Sequence, residues 1–361
     1  MIKLIKPYIS FEEVESEFRD VFESGWFTKG KYVEAFREEI KKYTGAKYSF
    51  LATSATTALS ACLRVLDVKA GDEVIVSDFS FPATANVVED VGAVSVFVDV
   101  DKTTFNMLPD DLVRKITKKT KAVIFVDALG NPSGIHRIKE ICNKYNIPLI
   151  EDAACAIGSS ERSVKCGNIA DLTCFSFHPR KLLTTGEGGA ITTNSERMAQ
   201  ILDIKLNHGS VFEGGKFDFV DFGYNYRLPE LQSIMGLKQL KKLDGIVENR
   251  NLIRNEYINL LSPLGFRAQA VADDVVYNVQ SMVFLVPEGI DRDHLIIELK
   301  KNGVETTLGT YCMSNGTYFR KKYNNVQQTS LFLERNTLTL PCYEGLDVKP
   351  IVEAIRKVLN A

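Results

Sequence analysis

The chain has 361 residues, of which 45% are hydrophobic and 25% charged, and its 44 Lys plus Arg against 46 Asp plus Glu leave a net charge of -2. That composition excludes a disordered or collagenous chain, and a charge so near zero gives no bulk attraction for nucleic acid or an anionic membrane. At about 150 residues per domain, the length predicts two domains.

The opening, MIKLIKPYISFEEVESEF, turns acidic early and lacks an apolar h-region, so it does not read as a secretory signal. Residues 31–43 have amphipathic helical spacing. From there the chain alternates. Strands are predicted at 48–52, 72–76, 95–100, 122–128 and 147–152, with helices at 55–66, 82–92, 110–117 and 135–146 between them. Short apolar runs between amphipathic helices predict an α/β fold, a mostly parallel sheet covered on both faces. Ligands in such folds bind beyond the carboxyl ends of the strands. Two further strands, 172–177 and 189–194, flank a Gly-rich turn. After Pro229 one long helical stretch runs to 261. The last third predicts a strand at 277–286 and helices at 292–303 and 349–359. The domain boundary is expected near 245, giving 1–245 as a large domain and 246–361 as a smaller C-terminal α+β domain.

Seven cysteines are scattered without a C-x-x-C pair, which argues against a disulfide framework or zinc knuckle and for a reducing, cytoplasmic setting. No apolar run approaches the roughly 18 residues of a membrane span. No metal site is expected. The phosphate-loop, H-E-x-x-H and G-x-S-x-G patterns are missing, and GEGG at 186–189 does not complete a dinucleotide fingerprint.

Two segments carry the chemistry. LIEDAACAIG at 149–158 delivers Asp152 at the end of an apolar strand, and CFSFHPRKLLTTGEGGAITTN at 174–194 places Lys181 between a strand and a Gly-rich turn. A lysine amine and a carboxylate at strand ends are what pyridoxal phosphate (PLP) chemistry needs. The amine carries the cofactor aldehyde, and the acid keeps the pyridine nitrogen protonated. On spacing alone, a solvated lysine and an ordinary helix-capping Asp explain the pair as well.

The sequence also resembles the DegT/DnrJ/EryC1/StrS sugar aminotransferases, PLP enzymes of fold type I. The likeness rests on ordered blocks: ESGWFTKGKYVEAFREEIKKYTGAKYSFLATSATTAL, GDEVIVSDFSFPATANVVEDVGAVSVFVDVDKTTFN, EDAACAIG, FSFHPRKLLTTGEGGAITTN and FGYNYRLPELQSIMGLKQLKKLD. It implies that Lys181 is the Schiff-base lysine and Asp152 the ring-nitrogen partner. A related subgroup that deoxygenates sugars carries His in place of that lysine. Cys155 stands where the family often has Gln near the phenolic oxygen. It is a cofactor-pocket neighbour or a packing residue. Ala55 and Thr56 replace the usual Gly-Thr at a helix start and keep its phosphate-binding amides. Ser176 matches a phosphate-binding hydroxyl, and Phe81 an aromatic that stacks on the pyridine ring. His178 is placed near the cofactor. Asn225 of GYNYR matches a residue that reaches the phosphate in the other subunit of a homodimer. Arg227 is a candidate for a donor carboxylate or a structural salt bridge, and Tyr311, in the 304–323 segment, for the substrate.

The resemblance implies amino transfer from L-glutamate, through pyridoxamine phosphate (PMP), to a nucleotide-linked 4-keto or 3-keto-6-deoxyhexose. The amino-sugar product is expected to enter a surface polysaccharide, glycan or antibiotic. The rivals are a family member acting on a cyclitol ketone or free sugar acid, a non-catalytic PLP-binding regulator, and a structural or interaction protein.

Overall fold

The computed structural model describes residues 1–360. A seven-stranded sheet forms its centre, in the order Tyr48–Ala52, Gly189–Thr193, Leu172–Ser176, Leu149–Asp152, Thr120–Val126, Glu73–Ser77, Val94–Val98. The last five pair in parallel, and Gly189–Thr193 runs antiparallel to both neighbours. Helices cover both faces, so the inner strands bury side chains on each side and read as continuous apolar runs. The Ala55–Val65 helix starts at a capping box. The Ser54 hydroxyl accepts the Thr57 N–H at 3.1 Å, and the Thr57 hydroxyl accepts the Ser54 N–H at 3.1 Å.

The C-terminal part builds its own antiparallel sheet, in the order Arg267–Ala268, Met282–Leu285, Thr337–Leu340, Thr307–Leu308. Helices Arg292–Lys301 and Lys349–Leu359 pack on the core beneath it. The N-terminal residues reach this second core as well, since Ile2 bridges to Val304.

Two expectations are corrected. The stretch after Pro229 is two helices, Glu230–Leu240 and Leu243–Leu261. Neither Gly nor Pro marks the break. Its ties are tertiary: the Lys242 ammonium, between the helices, reaches the Tyr8 carbonyl at 2.7 Å and Glu13 at 2.6 Å. Leu243, Ile246 and Val247 then pack with Ile157 in the first body, and Ile253, Tyr257 and Leu261 enter the second core. The strand expected over 277–286 is only Met282–Leu285, because Val279 turns left-handed at φ 53° and ends the extended run. Periodicity missed the Glu15–Ser24 helix, the Ser210–Glu213/Lys216–Phe219 hairpin and helices Thr317–Tyr323 and Gln328–Asn336. No helix among the described residues is long and apolar enough to cross a membrane.

Candidate active site

Five parallel strands send their carboxyl ends to one edge, and a cavity of about 310 Å³ opens there. Asp152, the last residue of its strand, is 5% exposed. Its carboxylate accepts the Thr84 hydroxyl at 2.7 Å and the Ala154 N–H at 3.3 Å. Burial raises its pKa, and Thr84, the Ala154 N–H and the Lys181 charge oppose that rise. Lys181 follows the next strand, and its ammonium donates to the Cys155 thiol sulfur at 3.0 Å.

One wall of the cavity is the start of the Ala55–Val65 helix. The helix uses Thr57 and Ala58 to close its cap, and the first amides of a helix have no partner inside it. The Ala55 and Thr56 N–H groups are such amides, at the positive end of the helix dipole. Gly189 makes this approach possible. A Cβ there would stand 2.6 Å from the Ser54 carbonyl carbon and 2.8 Å from the Ala55 nitrogen. Ser176 ends its strand on the same wall. Phe81 lies across the cavity with 64% of its surface open. Burial lowers the His178 pKa, and its Nδ1 accepts the Arg180 N–H at 3.2 Å, which requires the unprotonated ring nitrogen.

Eight expected site residues therefore share one cavity: Ala55, Thr56, Phe81, Asp152, Cys155, Ser176, His178 and Lys181. Three do not line it. Asn225 is exposed and bridges to Asn207. Arg227 borders a separate cleft of about 460 Å³ beside Arg37 and Asp203. Tyr311 stands at the rim, its ring 6.3 Å from that of Phe81, while its neighbour Thr310 lines the cavity. A larger cleft of about 670 Å³, between Lys6–Ser10 and Tyr343–Gly345, holds no strand end of the central sheet.

The donor set fits PLP. A buried acid faces the cavity for a pyridine nitrogen, unpartnered helix amides and a hydroxyl suit a phosphate, an open ring suits stacking, and an amine stands beside them.

Sequence reading missed Thr84, whose short bond orients Asp152 from 68 residues away. It also missed Asp127. Asp127 lines the cavity and clusters with Glu151 and Cys166, and all three are buried. Both Asp127 oxygens lack a donor, whereas Glu151 accepts the Thr173 hydroxyl at 2.7 Å and the Gly167 N–H at 3.1 Å. Burial, then the Glu151 charge, raises the Asp127 pKa well above its ordinary value. Burial also raises the Glu151 pKa, but Asp127 is pushed further toward its neutral form, in which it can donate to Glu151. A carboxyl with a raised folded pKa contributes stability below its unfolded pKa. That stability is lost as pH rises from the unfolded pKa through the folded one, by up to about 1.4 kcal/mol for each pH unit. Asp127→Asn should flatten that decline in a series of Tm measurements across pH. An unchanged slope would assign the decline to other groups.

The family model for the DegT/DnrJ/EryC1/StrS aminotransferase family matches residues 9–359. The spore coat polysaccharide biosynthesis protein SpsC of Bacillus subtilis is 31% identical over 374 residues, covering 98% of this chain and 96% of that protein. The GDP-perosamine synthase of Vibrio cholerae is 28% identical, with both chains covered in full. Among solved structures, the Streptococcus pneumoniae protein Spr1654, assigned as a sugar aminotransferase, superposes in its PMP form with a TM-score of 0.94. It shares 28% identity and covers 100% of this chain and 99% of its own. Its PLP form superposes with a TM-score of 0.93.

Proposed function

Because this chain belongs to the DegT/DnrJ/EryC1/StrS aminotransferase family, and the similar Spr1654 has been solved in PMP and PLP forms, we propose that it aminates a nucleotide-linked keto sugar with L-glutamate as donor. The fold is that of a PLP-dependent aminotransferase, and PLP is the cofactor. The observation that carries the residue assignment is the Lys181 amine facing one cavity with a buried, hydrogen-bonded Asp152 at the strand ends. The likeness to a GDP-perosamine synthase supports a nucleotide-linked sugar, with the 4-keto and 3-keto-6-deoxyhexoses both open.

When bound, PLP supplies an electron-withdrawing ring and a carbonyl carbon that takes up and releases the amino group. The rest is the work of the chain. Asp152 holds a proton on the ring nitrogen. The Ala55 and Thr56 amides and the Ser176 hydroxyl bind the phosphate. Phe81 stacks against the ring and sets its plane. With PLP bound, the Lys181 amine would carry a proton between the Cα of the amino donor and the C4′ position. Tyr311 and the 304–323 segment meet the sugar, while Arg227, bordering a separate cleft of its own chain, is left between a donor carboxylate and a structural salt bridge. All seven cysteines are unpaired, with the Cys62 and Cys174 sulfurs 3.4 Å apart.

The test is mass spectrometry of products from a panel of keto sugars made in situ, with glutamate and PLP supplied. An aminated nucleotide sugar supports the reading. Amination only of a cyclitol ketone or free sugar acid overturns the substrate class, and no turnover on any ketone favours a regulator.

The proposal includes a homodimer with shared sites. Phe212, Phe217, Phe219 and Phe222 are all exposed, beside an Asn225 that does not line the cavity of its own chain. Lys181→Ala and Asn225→Asp variants should each be inactive, the second by placing a negative charge at the phosphate. Refolded together in equal amounts, they should recover about a quarter of parental activity, because each mixed dimer carries one intact site. With exchange verified by mass, a return of no activity would place Asn225 in the site of its own chain.

A further inference from the structure

The segment 277–281 is anchored in the C-terminal core, yet two of its side chains end on the loops that carry Cys155 and Lys181. Asn278 donates to the Cys155 carbonyl at 2.8 Å and to the Ile157 carbonyl at 2.8 Å. Gln280 accepts the Leu182 N–H at 2.9 Å and donates to the Arg180 carbonyl at 2.7 Å, bracketing Lys181 on both sides. The Gln280 N–H closes on the Asn278 side-chain oxygen at 2.9 Å, so the two amides form one unit around Val279.

That unit is held under strain. Val279 is buried in the second core at φ 53°, a conformation that a β-branched residue keeps only when its surroundings enforce it. The enforcing group is Arg250, itself buried. Its Nε donates to the Val279 carbonyl at 2.8 Å, and its guanidinium also bonds the carbonyls of Gln280, at 3.2 Å, and of Cys342. The approach to the cofactor loops is equally tight. A Cβ on Gly130, at φ 101°, would collide with the Asn278 side-chain oxygen and come within 2.7 Å of the Cys155 carbonyl.

We propose that Asn278 and Gln280 are positioning residues through which the C-terminal core fixes the Lys181 loop against the Cys155 loop. The proposal rests on reading Lys181 as the cofactor-bearing lysine. Neither side chain lines the cavity, so their effect passes through Lys181. The pair they hold in register, the Lys181 ammonium and the Cys155 sulfur, stands at 3.0 Å. A lysine that must reach both a cofactor carbon and a substrate proton is sensitive to small displacements. An error of about 1 Å at a reacting group costs on the order of a hundredfold in rate.

Gln280→Ala should therefore lower kcat by about a hundredfold and leave the KM of both substrates within about threefold, since no substrate or phosphate contact is removed. In the cofactor-free protein, hydrogen exchange at the Leu182 amide should quicken. Gln280→Glu gives a second reading. Protonated, its acid accepts from Leu182 and donates to Arg180 as the amide does, whereas ionised it has no donor for that carbonyl. Its kcat relative to the parent should recover as pH falls through the carboxyl pKa that burial raises. Arg250 and Lys181 are the charges beside it. Tyr257→Phe, which removes a 3.0 Å bond to the Pro341 carbonyl in the same core, should cost stability with kcat unchanged. A Gln280→Ala kcat at the parental level, an equal loss in Tyr257→Phe, or a Gln280→Glu ratio flat with pH would overturn the clamp. Borohydride reduction and peptide mapping of the parent separate the two claims. Cofactor fixed on another lysine overturns the site reading. Cofactor on Lys181 with an unchanged Gln280→Ala rate overturns the clamp alone.

Discussion

Lys181→Ala should abolish turnover, by roughly 10⁴-fold or more, and should end the fixation of cofactor to the chain by borohydride. The variant loses two functions at once. It loses the amine that tethers the cofactor, and the base that moves the proton afterwards. It should keep measurable affinity for PMP, because the helix amides at Ala55 and Thr56, the Ser176 hydroxyl, the Phe81 ring and Asp152 line the same cavity without Lys181. An added primary amine should restore part of the rate, since a free base can enter where the side chain stood. A Lys181→Ala enzyme that turns over normally, or still carries borohydride-fixed cofactor on the 174–186 peptide, would remove Lys181 from the mechanism. Loss of PMP binding along with turnover would point instead to a collapsed cavity. Cys155, whose sulfur faces the amine, is the first neighbour to check for such a collapse.

Much of the fold could be read from the chain because local and tertiary forces agree there. The runs VIV and AVIFV, and the Leu149–Ile150 pair that opens LIED, are apolar on both faces, since helices cover both sides of the sheet. Asp152 and Lys181 were visible because strand ends in such a sheet point to one edge, and the family blocks around them are long. What stayed hidden depends on contacts between distant residues. The break at Lys241–Lys242 has no Gly or Pro and is tied to Tyr8 and Glu13, over 200 residues upstream. Thr84 reads as a helix-start threonine until its hydroxyl is found on Asp152. Asn278 and Gln280 sit in a stretch whose apolar neighbours predict a strand. Only the left-handed turn at Val279 and the reach across about 100 residues to the Lys181 loop disclose their partners. Nothing in the sequence singles out Asp127, because its raised pKa comes first from its own burial and then from Glu151 beside it.

Asp152→Asn should keep the cofactor and lose on the order of 10² to 10³ in kcat, the scale of removing one oriented electrostatic group from a catalytic centre. The amide has the shape of the carboxylate and can still accept from Thr84, so the packing around the strand end survives. It lacks the charge that holds a proton on the ring nitrogen, and without that proton the ring withdraws electrons weakly. The variant is therefore a test of charge with little change of form. The pH profile supplies the sign. Burial raises the Asp152 pKa, so protonation disables it at a higher pH than for an exposed carboxylate, and the acid limb of the rate should lie correspondingly high. Thr84→Val removes the largest opposing contribution and should move that limb further upward with the alkaline limb in place. Asp152→Asn should have no such limb to move. A kcat within a few-fold of the parent, with the acid limb intact, would make Asp152 a structural acid and leave the ring nitrogen to another group, with Asp127 the next buried acid on the cavity wall.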